Sequence, residues 1–214
     1  MARRTLQPAS FLRDVAHHRM VVLRDDGLYR HLRFHRPQTM CMHFDILTWP
    51  GYLCYTGDMG TYVFQRLEDM LMFFRRTADR DLFDSIDMRY WAEKVQADDR
   101  EGVTEFDPEA FRAVVKDRFD DFIESHAEDW SAERREALWG EVVSSILNSL
   151  DEGDPHRAFM AVHEFSQDGL RFEDFFEFNT DAYTTRFQWC CFALRWAIEQ
   201  YDAAKTAEPV KEGG

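Results

Sequence analysis

Three histidines and an aspartate lie within one short stretch and could do chemistry together: His31, His35, His43 and Asp45. Two imidazoles and a carboxylate on one surface can hold a divalent metal ion or shuttle a proton as general acid and base. Whether they meet depends on the strands that carry them. Residues 28–65 alternate apolar and polar side chains in four runs, 28–35, 40–48, 52–56 and 61–65. The runs are separated by turn signals at Arg36-Pro37-Gln38-Thr39, Trp49-Pro50-Gly51 and Gly57-Asp58-Met59-Gly60. That pattern predicts a four-stranded antiparallel meander. Bringing the apolar faces together places Leu32 opposite Met42, His31 opposite His43, Tyr29 opposite Asp45, Phe44 opposite Tyr55, and Tyr55 opposite Tyr62. On this register His31, His43 and Asp45 are the catalytic or metal candidates. They share the face turned away from the core, with Cys54 and Thr56 one strand over. Tyr29, Arg33 and His35 on that face, and Asp58 at a loop tip, are the binding candidates. The plainer reading is a polar sheet surface turned to solvent or to a partner.

Other chemistries lack their motifs. The chain has no HExxH run, and the glycines around Asp58 are not followed by the Lys-Ser/Thr helix start of a phosphate-cradling loop. Asp58 reads first as a carboxylate bonding the backbone of its own turn, and second as a loop-tip contact residue or an acid. No serine sits in a nucleophile elbow, and the acidic pairs Glu101/Glu105 and Glu173/Asp174 read as surface. No cofactor is expected. Cys41, Cys54, Cys190 and Cys191 show no metal-ligand spacing and read as buried, reduced thiols.

The apolar face of the meander needs a helical layer, and helical patterns surround it. Pro8-Ala9-Ser10 opens a helix in which Phe11, Leu12, Val15, Met20 and Leu23 recur at helical spacing up to Asp25-Asp26-Gly27. A strand over Met20–Arg24 with a hairpin turn at Asp26-Gly27 is the alternative. A short amphipathic helix covers 67–74, and an edge strand is possible within 86–96. Asp107-Pro108 starts a long helix, with Phe106 placed to staple onto Phe111. Ser131 caps another, 155–165 forms a third, and a last helix runs from about Tyr183 to Lys205. The expected architecture is α+β: an N-terminal helix and a four-stranded antiparallel meander (about 28–65) packed against a C-terminal set of helices. It reads as one domain over 1–205, with a sheet half (1–97), an acidic helical half (104–205) and a disordered tail, 206–214.

Charge divides along the same line. The formal net charge is −14. Residues 1–80 hold 12 Lys/Arg and 8 Asp/Glu, whereas 81–214 hold 14 and 32, giving +4 and −18. Arg19, Arg24, Arg30, Arg33 and Arg36 form the densest basic cluster and interleave with Tyr29, Phe34 and His35, a pattern some single-strand-binding sheets use. Overall acidity argues against direct nucleic-acid binding. It favours a basic protein surface as partner, such as one that itself holds nucleic acid. No apolar run approaches a membrane span and no secretory h-region follows the first residues, so the expected compartment is cytoplasmic.

The strings Leu23-Arg24-Asp25-Asp26-Gly27, Tyr29-Arg30-His31-Leu32-Arg33-Phe34, Phe44-Asp45-Ile46-Leu47-Thr48-Trp49-Pro50-Gly51 and Gly57-Asp58-Met59-Gly60-Thr61-Tyr62-Val63-Phe64 resemble a family of uncharacterised proteins encoded by bacteriophages, prophages and mobile plasmids. The resemblance spans about residues 10–76 and fades through Trp91 and Phe106-Asp107. It brings no activity or site residue with it. It implies an accessory protein of a mobile element at work in a bacterial host. In that setting the charge points to a counter-defence inhibitor of the anti-CRISPR or anti-restriction type, binding a host protein. The alternatives are a hydrolase of a nucleotide or nucleic acid, metal-dependent or His/Asp-based, on the polar sheet face, and a small-ligand binder with an aromatic pocket between sheet and helices.

Overall fold

The strands follow one another in space as they do along the chain. In a computed structural model that describes residues 5–75, 81–126 and 130–207, β1 (Arg19–Asp26), β2 (Tyr29–His35), β3 (Phe44–Trp49), β4 (Tyr52–Gly57), β5 (Gly60–Gln65) and β6 (Val95–Ala97) form one antiparallel sheet in the order β1-β2-β3-β4-β5-β6. The fold is α+β, with six strands rather than four. The extra strands lie at the edges. Helix α1 (Pro8–Val15) stops well short of Asp25; beyond it Met20, Val21, Val22 and Arg24 pair with β2, with the register shifting at Leu23, which makes the hairpin alternative the observed one. Adjacent β-branched residues suit a pleated strand better than a helix. At the other edge, Asp87 caps a short helix, α3 (Met88–Ala92), so the edge strand starts only at Val95.

Three tight turns set the hairpins. Gly27 (φ 60°) turns β1 into β2. Pro50-Gly51 joins β3 to β4, with Gly51 at φ 84°, as a type II turn requires at its second central position. Asp58-Met59 joins β4 to β5, and Gly60 follows at φ 93°. The connection from β2 to β3 is broader than expected. Gln38 and Met42 both adopt left-handed backbone, at φ 67° and 58°, so 40–43 leave the sheet and β3 begins at Phe44.

This loop changes the register. Leu32 lies opposite Ile46, not Met42, and Arg33, not Tyr29, lies opposite Asp45. Leu47, not His43, stands opposite His31. Tyr55 faces Ile46 rather than Phe44, while the Tyr55–Tyr62 pair stands as expected. Each slip is an even number of residues, so no side chain changes face. Leu32, Phe34, Phe44, Ile46, Leu53, Tyr55, Tyr62 and Phe64 are all completely buried.

The layer over that face comes from both ends of the sheet segment. Phe11 and Val15 of α1 join Met70, Leu71 and Phe74 of α2 (Met70–Phe74) and a long helix, α7 (Thr185–Ala207), in one core. Helix α7 buries the expected Phe187, Cys190, Cys191, Leu194, Ala197, Ile198 and Tyr201, and also Gln188, Trp189, Phe192, Ala193 and Arg195. It is covered nearly all round, which is why its apolar spacing reads wider than one stripe. Its last residues run to Ala207; the rest of the expected tail lies outside the described residues. Ring contacts tie the layers: Phe34 stacks on Phe44 at 4.9 Å, and Trp189 meets Phe44 and Phe11 edge-on at 5.6 and 5.0 Å.

The chain divides into two compact units. Among the described residues, Glu105–Ala182 forms one, and residues 5–104 together with 183–207 form the other. The segment 183–207 therefore belongs with the sheet. In Glu105–Ala182, α4 (Pro108–Ser125), α5 (Ala132–Ser145) and α6 (Pro155–Glu164) close around a core of their own, including Phe111, Val115, Leu138, Val142, Ile146 and Val162. Its caps follow the sequence: Asp107 accepts from the Glu109 amide, Ser131 from the Arg134 amide, and Asp154 from the His156 amide. Phe106 packs on Phe111 with ring centroids 5.6 Å apart. Two short strands, β7 (Thr104–Phe106) and β8 (Asp181–Tyr183), form a separate ribbon.

Candidate functional site

On the outer face of the sheet, β2 and β3 bring His31, Arg33 and Asp45 together. Arg33 donates from Nε to Asp45 Oδ1 at 2.9 Å and from Nη2 to Oδ2 at 2.8 Å. His31 Nε2 sits 2.7 Å from the same Oδ2. Burial by its neighbours raises the Asp45 pKa, but hydrogen bonds from Arg33 and then His31 outweigh it, so the carboxyl stays below its ordinary range. The same bonds raise the Arg33 guanidinium. Three polar groups thus satisfy one another at one point on an open face. Around them stand exposed Val21, Leu23 and Tyr29, with the Arg24 guanidinium 5.0 Å above the Tyr29 ring.

His43 is not part of this group. It lies in the loop before β3, where its Nδ1 is 2.7 Å from the Met40 carbonyl and 3.1 Å from Asp58 Oδ1. Asp58 also accepts from the Met42 amide at 2.6 Å through Oδ2, and its own amide donates to the His43 carbonyl at 3.1 Å. So Asp58 bonds the neighbouring loop rather than its own turn. Gly57 allows that approach: a Cβ there would stand 2.2 Å from the His43 carbonyl oxygen. The metal candidates are therefore split, His31 with Asp45 and His43 with Asp58. Among the described residues no three of His, Cys, Asp and Glu gather where a metal ion could be held.

The basic cluster also resolves into separate fates. Arg24 pairs with Asp26, Arg30 with Asp69 and Arg33 with Asp45. These partners all belong to the sheet unit, not to the acidic helices. The side chains of Arg19 and Arg36 make no hydrogen bond or ion pair among the described residues. His35 stands at the end of β2 with Nδ1 3.2 Å from the Arg36 carbonyl. Of the thiols, Cys190 and Cys191 are buried, but Cys41 is exposed and Cys54 half-buried.

The sequence reading missed a groove in the helical unit. A cavity of about 670 Å³ lies between α6 and residues 171–176, with an apolar floor that includes Phe159, Phe172 and Phe175. Glu164, Glu173, Asp174, His156, His163 and Arg171 line its polar edge. Phe176 beside it is 76% exposed. The signal was present as the aromatic-rich turn Phe172, Phe175, Phe176, Phe178, of which the structure leaves Phe176 outside.

Charge and fold coincide more sharply than the sequence halves suggest. Between Glu105 and Ala182 there are 21 acidic and 7 basic residues, a balance of −14; the remainder of the chain holds 19 of each and is neutral. No helix among the described residues is long and apolar enough to cross a membrane. No family model, no curated protein and no solved structure matches this chain.

Proposed function

We propose that this protein acts by binding, and that its helical unit is the contact surface for a basic surface of a partner protein. The observation that carries this reading is the segregation of charge: the whole formal net charge of −14 falls within Glu105–Ala182. A field of one sign on one compact unit raises encounter rates with an oppositely charged partner and repels nucleic acid. The groove beside Phe176 supplies what charge alone lacks, an apolar recess able to receive an anchor side chain. The phage and plasmid resemblance supplies the setting. In a bacterial host the partner would be a defence protein whose basic surface is built to hold nucleic-acid phosphates, so that this protein works as a counter-defence inhibitor in the cytoplasm.

The competing reading makes His31 a general base oriented by Asp45, as their 2.7 Å contact permits. Both oxygens of Asp45 are already taken by Arg33, and the group sits on an open sheet face rather than in a recess. That arrangement suits a structural cross-strand pair better than a hydrolase.

The test is capture of host proteins on the immobilised chain at low and high salt. Retention of a basic protein at low salt, and its loss both at high salt and with Phe176→Ser, is the expected result. No salt-sensitive partner would overturn the proposal.

A further inference from the structure

The β1–β2 register creates a second feature, distinct from the acidic unit. Arg19 and His35 form its last pair, so the tripeptides His17-His18-Arg19 and Arg36-Pro37 with His35 meet at the end of the hairpin away from its turn. A cavity of about 410 Å³ opens there, lined by His17, His18, Arg19 and Arg36. The hairpin brings these residues together; a helix through Leu23 would send Arg19 elsewhere. Three arginines of the same cluster are neutralised by the chain's own carboxylates, whereas Arg19 and Arg36 have no such partner among the described residues. Two uncompensated guanidiniums at one cavity repel each other, and an anion between them would relieve that cost.

We propose that this cavity binds the phosphate group of a small phosphate monoester. Arg19 and Arg36 are the charged donors, each able to grip phosphate oxygens in a fork. His18 lines the same cavity. Its Nε2 lies 2.9 Å from the Met42 carbonyl, so the ring proton resides there, and its enclosed Nδ1 has no partner. Burial holds the His18 pKa below its ordinary value against the bond to Met42, with His35 and Arg36 pushing the same way and Asp14 opposing. Asp14 itself accepts from Trp189 Nε1 at 3.0 Å. A bound phosphate beside the ring would favour its protonation through the added negative charge.

The experiment is a calorimetric titration of the full chain at pH 7 with inorganic phosphate and with a nucleoside 5′-monophosphate, alongside an NMR pH titration of the histidine rings. One phosphate per chain is expected, weakened about tenfold by Arg19→Ala and again by Arg36→Ala, since each removes a charge-assisted contact. The His18 pKa should rise when phosphate is present. Arg24→Ala, at the other end of the hairpin, should leave affinity unchanged. Three results would overturn the assignment: no binding of either probe at millimolar concentration, equal weakening by Arg24→Ala, or an unmoved His18. Tight binding of a single-stranded oligonucleotide with no binding of the small probes would do so too, by making the site a strand-binding surface. None of these outcomes bears on the acidic helical unit.

Discussion

Arg33 and Asp45 stand directly opposite each other on β2 and β3, and the guanidinium meets both carboxylate oxygens, at 2.9 and 2.8 Å. The pair fixes register as much as it holds charge: one residue of slip would separate it and turn the whole strand over.

Asp45→Asn should therefore lower stability near neutral pH, by about 1–2 kcal/mol, because His31 and Arg33 lose a charged partner while Arg33 remains open to solvent. The pH dependence should change too. The folded Asp45 has a depressed pKa, so its contribution is present above the unfolded value and is lost as pH falls through the folded one. Asp25 behaves alike: burial raises it, but hydrogen bonds from Lys205 and Tyr201 bring it below its usual range. Urea unfolding at pH 7 and in the acid range should show a smaller acid loss in Asp45→Asn than in the parent.

Gly57→Ala should be the most damaging single-methyl change on the sheet. The new Cβ would stand 2.2 Å from the His43 carbonyl oxygen, a backbone atom that cannot swing away. A cost of about 3 kcal/mol is expected, at the upper end for overpacking. Faster amide exchange at Met42, whose N–H is held by Asp58, would place the damage in that loop.

Thiol reactivity should separate the four cysteines. Burial drives the Cys190 and Cys191 thiols far up in pKa, and Cys54 up less far. A thiol-specific chromophore should label Cys41 at once, Cys54 slowly, and the α7 pair only in denaturant. Labelling of Cys190 in the native state would contradict the packing of α7.

What the sequence discloses follows from periodicity. Faces are legible because alternation survives an even register slip: Leu32 is buried whether it meets Met42 or Ile46. The register itself is not, because it turns on left-handed backbone at Gln38 and Met42, two residues with no strong preference for it. The His31–His43 pairing fails there, and with it the expected His/His/Asp site. Met20–Leu23 reads as helix from its spacing, yet pairing with β2 decides in favour of strand. Caps were legible because Asp107 and Ser131 act through local chemistry. The all-round burial of α7 was not, since it depends on contacts with distant residues such as Phe11 and Phe44.

The most direct measurement of the binding account is retention of host protein against increasing salt, for the parent and for a variant carrying Asp117→Asn, Glu124→Gln, Glu136→Gln and Glu141→Gln. These four carboxylates are exposed on α4 and α5, and their replacement should leave the fold intact. The account predicts a basic partner that the parent retains at low salt and releases at high salt, and that the variant releases at markedly lower salt. Equal retention by parent and variant across the salt series would contradict it.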